Sequence, residues 1–308
     1  MNDYVPLQPS TFKPGINLGL IGYPLSHSLS PQIHNAALHT LGLEGEYRLY
    51  PVPPHPQPLS LRERGVRGEG MYSLENLLEN MRAGEIHGLN VTIPHKQTVI
   101  SFLDALTPAA EAIGAVNTIF RQGGQLVGDN TDAPGFLRDL QSRLNIQPFE
   151  RINVLILGAG GSARAVTYAL LSRGCHVTIA ARRLEQANAL AAYFGNRFPN
   201  IQPETIKFQF LTLNLQPSTL IINTTPLGMS PNLNDSPWPE GIPFPGNAAV
   251  YDLVYNPRET LIVRQARAAG LRATTGLGML IEQAALALER WTGLVVPRDV
   301  MLNAVKTL

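Results

Sequence analysis

The sequence predicts an α/β protein of two domains, and three observations carry that expectation. Short apolar runs alternate with longer stretches of helical periodicity, the pattern of βα units around a mainly parallel sheet. One such series starts near Ile16 and a second near Arg151. The chain has 308 residues, enough for both at ~150 residues per domain.

Composition narrows the function classes. Formal net charge is +1, so no broad field draws the chain to nucleic acid or to a membrane surface. Cys175 is the single cysteine, which excludes an internal disulfide framework and a Cys-rich metal site, and no spaced ligands suggest a metal elsewhere. A reducing, cytoplasmic compartment fits. The start, with Asp3, lacks a basic segment followed by an apolar run, so no signal peptide is expected. Nowhere do about 18 apolar residues run together, which argues against a membrane span. The expected partner is a small molecule, taken up by a monomer or homodimer.

In the first series, INLGLIG (Ile16–Gly22) reads as a buried strand and SPQIHNAALHTLG (Ser30–Gly42) as a helix. Ser30 is the expected N-cap, Pro31 suits the first helical position, and Gly42 suits the stop. EYRLYPV (Glu46–Val52) alternates as a strand does. The stretch Pro53–Gly70 is rich in Pro, Gly and Arg without apolar periodicity, and is expected to be a mobile surface insertion. GLNVTIPHKQ (Gly88–Gln97) then reads as a short strand that sets Lys96 just past a proline.

The second series opens with RINVLILGAGGSARAVTYALLSRGCHVTIAARR (Arg151–Arg183). Ile152–Leu157 has strand length, Gly158-Ala159-Gly160-Gly161-Ser162-Ala163 fits G-x-G-x-x-G/A, and a helical pattern follows until Gly174. Strand, glycine turn and helix come in the order a Rossmann-type dinucleotide site requires. Gly158 permits the tight turn, Gly160 lets a pyrophosphate approach the backbone, and Ala163 lets the helix pack on the strand. The helix start then offers free N–H groups and a partial positive charge to the phosphates.

The end of the next strand selects the dinucleotide. NAD sites usually carry Asp or Glu there for the ribose 2′-hydroxyl, whereas this chain has Ala181, Arg182 and Arg183. A guanidinium forms charge-assisted, bidentate bonds to a 2′-phosphate that a carboxylate would repel, so NADP(H) is the expected cofactor. Further strands are expected in STLIINTTPLGM (Ser218–Met229) and AAVYDLVYNP (Ala248–Pro257), with ligand-facing residues such as Thr224 at their ends. TTGLGMLIEQAALALERWTG (Thr274–Gly293) continues as an amphipathic helix, with Met279 and Leu280 suited to a core.

In the first series Ser28, Ser30, Asn90, Thr92, Lys96, Asn117 and Asp132 interrupt strand ends and helix starts. Hydroxyls and amides suit a polyhydroxylated carboxylic acid, because each oxygen stripped of water must be re-bonded. Lys96 is then the candidate proton-transfer group, with Asp132 orienting it.

Eight stretches resemble the successive signatures of the shikimate dehydrogenase family: GYPLSHSLSPQIHNAAL, GLNVTIPHK, GAVNTI, GDNTDAPGF, GAGGSARA, NTTPLGM, YDLVYNP and GLGMLIEQAA. They run in the family's order from about Gly22 to Ala285. The resemblance implies NADP-linked reduction of 3-dehydroshikimate to shikimate, in aromatic amino-acid precursor synthesis. It implies that Ser28, Ser30, Thr92 and Tyr255 bind the substrate carboxylate, that Asn90, Asn117 and Gln283 bond the ring hydroxyls, and that Lys96 and Asp132 are the catalytic pair. On the cofactor side it implies Gly158–Ser162 for the diphosphate, Arg182 for the 2′-phosphate, and Leu253, Gly276 and Met279 near the nicotinamide. The family's usual Asn-Arg-Thr triplet is Ala181-Arg182-Arg183 here, which removes one adenosine contact.

The architecture expected from this is an N-terminal α/β substrate domain, Met1 to about Thr131, and a Rossmann-type doubly wound NADP-binding domain, about Asp132 to Thr275. Helices from Gly276 onward complete the first domain, with a cleft between the two. Alternatives are a quinate/shikimate dehydrogenase with relaxed cofactor use, and a non-catalytic NADP- or metabolite-sensing module. The arginines after Ala181 disfavour the first, and retention of Lys96 with Asp132 disfavours the second.

Overall fold

A computed structural model describes residues 15–54, 72–146, 148–150, 152–199, 203–207 and 220–306. From position 55 onward the expected insertion Pro53–Gly70 lies outside the described residues, as do Arg151 and the first two residues of Ser218–Met229. The chain divides into two compact units, Met1–Thr131 with Ala284–Leu308, and Asp132–Gln283.

In the first unit, β1 (Ile16–Gly22) is buried at every position but Asn17, because an apolar run of this kind is covered on both faces. Next come α1 (Ser30–Thr40), β2 (Gly45–Pro51), α2 (Leu74–Ala83), β3 (Gly88–Val91), β4 (Ala105–Leu106), α3 (Pro108–Ile113), β5 (Thr118–Gln122) and β6 (Gln125–Asp129). Among the described residues the sheet order is β2-β1-β3-β5-β6-β4. β1 runs parallel to β2 and β3, whereas β5 is antiparallel to β3 and to β6.

The start of α1 corrects one expectation. Leu29 is the N-cap and makes no side-chain cap bond, and Ser30 is already helical. The cap-like acceptor is Ser28, whose Oγ takes the Ser30 N–H at 3.3 Å. Gly42 follows the helix at φ +67°, a left-handed conformation that glycine adopts without strain. Helix α2 carries ordinary end signals: Ser73 Oγ accepts from Asn76 N–H, and Gly84 closes the helix at φ +84°. Leu74, Leu77, Leu78 and Met81 form its buried face against Val91, Ile119 and Leu126.

The chain returns to this unit through the end of α8 (Leu277–Thr292) and α9 (Arg298–Asn303). Trp291 lies against Gly88, where any Cβ would collide with the indole, and its Nε1 donates to Ile119 O at 2.9 Å. Arg290 pairs with the buried Asp129 at 2.7 Å, and Asp129 also accepts from the Thr107 hydroxyl and the Asn130 N–H.

The second unit holds α4 (Asp132–Leu144), β7 (Asn153–Leu157), α5 (Gly161–Leu171), β8 (His176–Ala181), α6 (Leu184–Gly195), β9 (Glu204–Lys207), β10 (Leu220–Asn223), β11 (Ala249–Asp252), α7 (Leu261–Ala268), β12 (Arg272–Thr275) and the start of α8. Its described strands pair in the order β12-β11-β10-β7-β8-β9, all parallel. This is the doubly wound arrangement, and the order reverses between β7 and β10. Ligands of such sheets gather outside the strand ends at that reversal.

Candidate active site

In the first unit, parallel pairing brings the carboxyl ends of β1 and β3 together. Thr92 N–H donates to Ile21 O at 2.8 Å and Tyr23 N–H to Ile93 O at 2.9 Å. Gly22 is obligatory at this crossing because a Cβ would run into Thr92 Cγ2. The loop carrying Ser28 and Ser30 and the loop carrying Thr92 and Lys96 therefore leave the sheet as neighbours. Lys96 is buried, with a relative exposure of 8%. The backbone around it is pinned twice: Val116 N–H donates to Lys96 O at 2.7 Å, and the His95 ring Nε2 bonds Val52 O at 2.7 Å. The local sequence gives His95 no role, since its partner lies 43 positions away in the chain.

Asn90 and Asn117 belong to one buried polar network. Tyr47 donates its hydroxyl to Asn90 Oδ1 at 2.8 Å, and Asn90 Nδ2 donates to Asn117 O and Thr118 Oγ1 at 3.0 and 3.1 Å. Thr118 Oγ1 donates to Asn117 Oδ1 at 3.0 Å, and that same oxygen accepts the Thr131 N–H at 2.7 Å. Tyr47, Thr118 and Thr131 are additions to the residues expected from the sequence. The one local signal for Tyr47 is its place on the buried face of an alternating strand, where a phenol needs a partner.

Asp132, Tyr255, Gln283 and the cofactor-side candidates belong to the second unit. Asp132 is buried and opens α4. Gln283 donates Nε2 to Leu280 O at 2.9 Å, and its backbone packs so closely on Gly135 that a side chain there would clash. Tyr255 is half-buried, and desolvation pushes its phenol up.

The glycine turn sits at the reversal between β7 and β10. Gly158 has φ +113°, and a Cβ on it would lie 2.5 Å from Thr224 Oγ1. Thr224 closes the β10 side through its hydroxyl, which donates to Leu157 O at 2.8 Å. Gly160 is the N-cap of α5, Gly161 and Ser162 form its first turn, and Ala163 is fully buried against the sheet. Ala159 lies in the turn between them, half-buried. Ala181 ends β8 in the core, while Arg182 and Arg183 are exposed and unpaired with any described carboxylate. Gly276 packs directly on the carbonyl of Leu253, so these two candidates are neighbours. Met279 is buried and Leu280 half-buried.

Two buried carboxylates brace this crevice. Asp252, at the end of β11, accepts from Asn223 Nδ2, the Thr260 hydroxyl and the Val254 N–H, while Asn223 Oδ1 takes the Thr225 N–H and hydroxyl. Burial pushes Asp252 up to about 6 against those hydrogen bonds. Asp139 accepts the Tyr251 hydroxyl at 2.6 Å, and burial raises it as well.

A dinucleotide fits the second unit on its own geometry. Among the described residues, chain neighbours aside, nothing lies within 4 Å of a Cβ built on Gly160, so a ligand can approach that backbone, and the helix start carries no side-chain cap. Arg182 and Arg183, exposed and unpaired with any described carboxylate, follow directly on the end of β8, the position that reads the adenosine ribose in such sheets. Fold and site together define a two-unit α/β protein with a Rossmann-type nucleotide-binding unit.

Residues 20–119 match the family described as the shikimate dehydrogenase substrate binding domain, residues 141–225 shikimate / quinate 5-dehydrogenase, and residues 276–306 the shikimate 5′-dehydrogenase C-terminal domain. The NADP(+) shikimate dehydrogenase of Salinibacter ruber is 41% identical over 290 residues, 93% of this chain and 95% of that protein. The Thermus thermophilus shikimate 5-dehydrogenase, solved with NADP(H) and shikimate, superposes with a TM-score of 0.78 at 36% identity, covering 95% of this chain and 99% of that one. The quinate dehydrogenase of Corynebacterium glutamicum, solved with NAD, gives 0.81 at 30% identity, covering 96% and 99%. The chain belongs to the shikimate dehydrogenase family. Among the described residues no helix is long and apolar enough to cross a membrane, and no group of His, Cys, Asp or Glu is placed to hold a metal ion.

Proposed function

We propose that this chain catalyses the reversible, NADPH-dependent reduction of 3-dehydroshikimate to shikimate, on the route to chorismate and the aromatic amino acids. The observation that carries the reading is a buried lysine, Lys96, on a pinned loop beyond β3, which leaves the sheet beside the loop after β1 that carries Ser28 and Ser30. The first unit takes the substrate, completed by Ala284–Leu308, and the second takes the cofactor.

The residues divide the work by chemistry. Ser28, Ser30, Thr92 and Tyr255 hold the carboxylate, and Asn90, Asn117 and Gln283 hold ring hydroxyls, so the ring has one orientation and much of the barrier is met by positioning. Lys96 donates a proton to the carbonyl oxygen as negative charge builds there, and Asp132 orients the ammonium and balances its charge. The first turn of α5 with Gly158–Ala163 takes the diphosphate, Ala181, Arg182 and Arg183 line the adenosine side, and Thr224, Leu253, Gly276 and Met279 face the nicotinamide. When bound, NADPH supplies the hydride. The enzyme works in the cytoplasm as a monomer or homodimer.

Quinate oxidation with NAD is the second reading, favoured by the likeness to the C. glutamicum enzyme. Initial rates for shikimate and quinate, each with NADP and NAD, test the proposal. Shikimate with NADP should give the highest kcat/KM; a higher value for quinate with NAD would replace the reading, and no turnover with either acid would make the chain a sensing module.

A further inference from the structure

We propose that Tyr47 is a positioning residue that, together with the Asn117 carbonyl and Thr118, holds Asn90 as a hydrogen-bond acceptor toward the substrate, so that Asn90 reads a ring hydroxyl and cannot seat the carbonyl being reduced. The inference rests on the reading of Asn90 as a substrate ligand.

Carboxamide ends are distinguished by their partners. Asn90 Nδ2 faces the backbone carbonyl of Asn117 at 3.0 Å, an oxygen that can only accept, so a flipped amide would set two acceptors against each other. The second Nδ2 hydrogen goes to Thr118 Oγ1 at 3.1 Å. Both donors of Asn90 are therefore committed inside the protein. Its Oδ1 takes the Tyr47 hydroxyl at 2.8 Å and retains one lone pair. A ligand oxygen arriving at Asn90 must bring its own hydrogen, which a hydroxyl does and a ketone does not.

The far end of the network is anchored in the same manner. Asn117 Oδ1 accepts the Thr131 N–H at 2.7 Å, so that amide cannot turn either, and Thr118 Oγ1, donating to the same oxygen, is left to accept from Asn90. The donors thus run one way, from Tyr47 through Asn90 and Thr118 to Asn117. Tyr47 is itself held in place, because its ring is buried and stacks on His34 with centroids 4.0 Å apart and planes 3° apart. Asn90 of β3 pairs in register with Leu20 of β1, and Tyr47 of β2 pairs with Leu18 two residues earlier, so the two side chains meet across β1 from the strands that flank it.

Tyr47→Phe in the full-length protein removes the hydroxyl and keeps the stack. Loss of one neutral hydrogen bond corresponds to a rise in KM for shikimate of about 3–10-fold. The kcat and the KM for NADP should stay within about twofold, because neither the proton donor nor the cofactor side is touched. A shikimate analogue with fluorine in place of the hydroxyl at Asn90 should bind the parent about tenfold more weakly and lose most of that disadvantage in the variant. Thr118→Val breaks the same chain beyond Asn90 and should also raise the KM for shikimate, which keeps the test open if Tyr47→Phe fails to fold. A parent that turns over no shikimate overturns the functional reading and this inference with it. An active parent overturns the inference alone if the KM for shikimate of a folded variant stays within twofold, or if the KM for NADP rises equally.

Discussion

His34 makes folding stability fall in mild acid by an amount that can be worked out. The imidazole has no exposed surface, and neither ring nitrogen has a hydrogen-bond partner among the described residues. Burial alone pushes its pKa from 6.5 down to about 3. The folded value is depressed below the unfolded one, so as pH drops through 6.5 the unfolded chain takes up a proton that the folded chain refuses. Between pH 7 and pH 5 that difference costs about 2 kcal/mol, a large part of a typical folding free energy. His34→Phe keeps a ring on Tyr47 but does not titrate. Urea unfolding of parent and variant at both pH values isolates the effect: any cost of seating the larger ring is the same at both, and every other titrating group, Asp252 included, is common to the two proteins. The parent should lose about 2 kcal/mol more than the variant on acidification. Losses agreeing within about 0.5 kcal/mol would refute the idea that this imidazole stays neutral in the fold.

Lys96→Ala should lower kcat by about 10²-fold or more while the KM for shikimate changes far less, and a kcat near the parent's would remove Lys96 from the chemistry. Gly158→Ala places a Cβ 2.5 Å from Thr224 Oγ1 at φ +113° and should cost about 1–3 kcal/mol in thermal unfolding, with a larger rise in KM for NADP than for shikimate. Arg182→Ala should raise the KM for NADP about tenfold or more and leave the KM for NAD within about threefold, since only the phosphate contact is charge-assisted. Steady-state kinetics with both cofactors decide that case, and an equal rise for both would assign the 2′-phosphate elsewhere.

Local patterns are legible where the signal is local. Ile152–Leu157, the glycine turn and the following helix lie within one βα unit, and β7 and α5 form there. Gly42 ends its helix as its position suggests, because the left-handed conformation is a property of one residue. Ser30 is not the N-cap that its residue type suggests because Leu29 already has helical backbone angles, which moves the acceptor back to Ser28. Helix α2 is not among the expected elements, although Ser73 and Gly84 mark its ends, since it follows the Pro- and Arg-rich stretch whose composition hides its start. Asn117 and Asp129 stand at the two outer ends of the antiparallel pair β5 and β6, whose short apolar runs carry no statement of direction.

Sequence alone determined the α/β class, the glycine turn, the arginines that follow Ala181 and the identities of the polar residues that end the first unit's strands. Each of these depends on residue chemistry or on spacing within one element. Tertiary structure alone decided that Tyr47 meets Asn90 across 43 positions, that His95 pins the lysine loop to Val52, that His34 is sealed with no partner among the described residues, and that β7 and β10 adjoin at the reversal. The reason is physical: a hydrogen bond or a desolvation penalty belongs to two groups and the water between them, and only the folded chain sets how far apart they are and how much water is left.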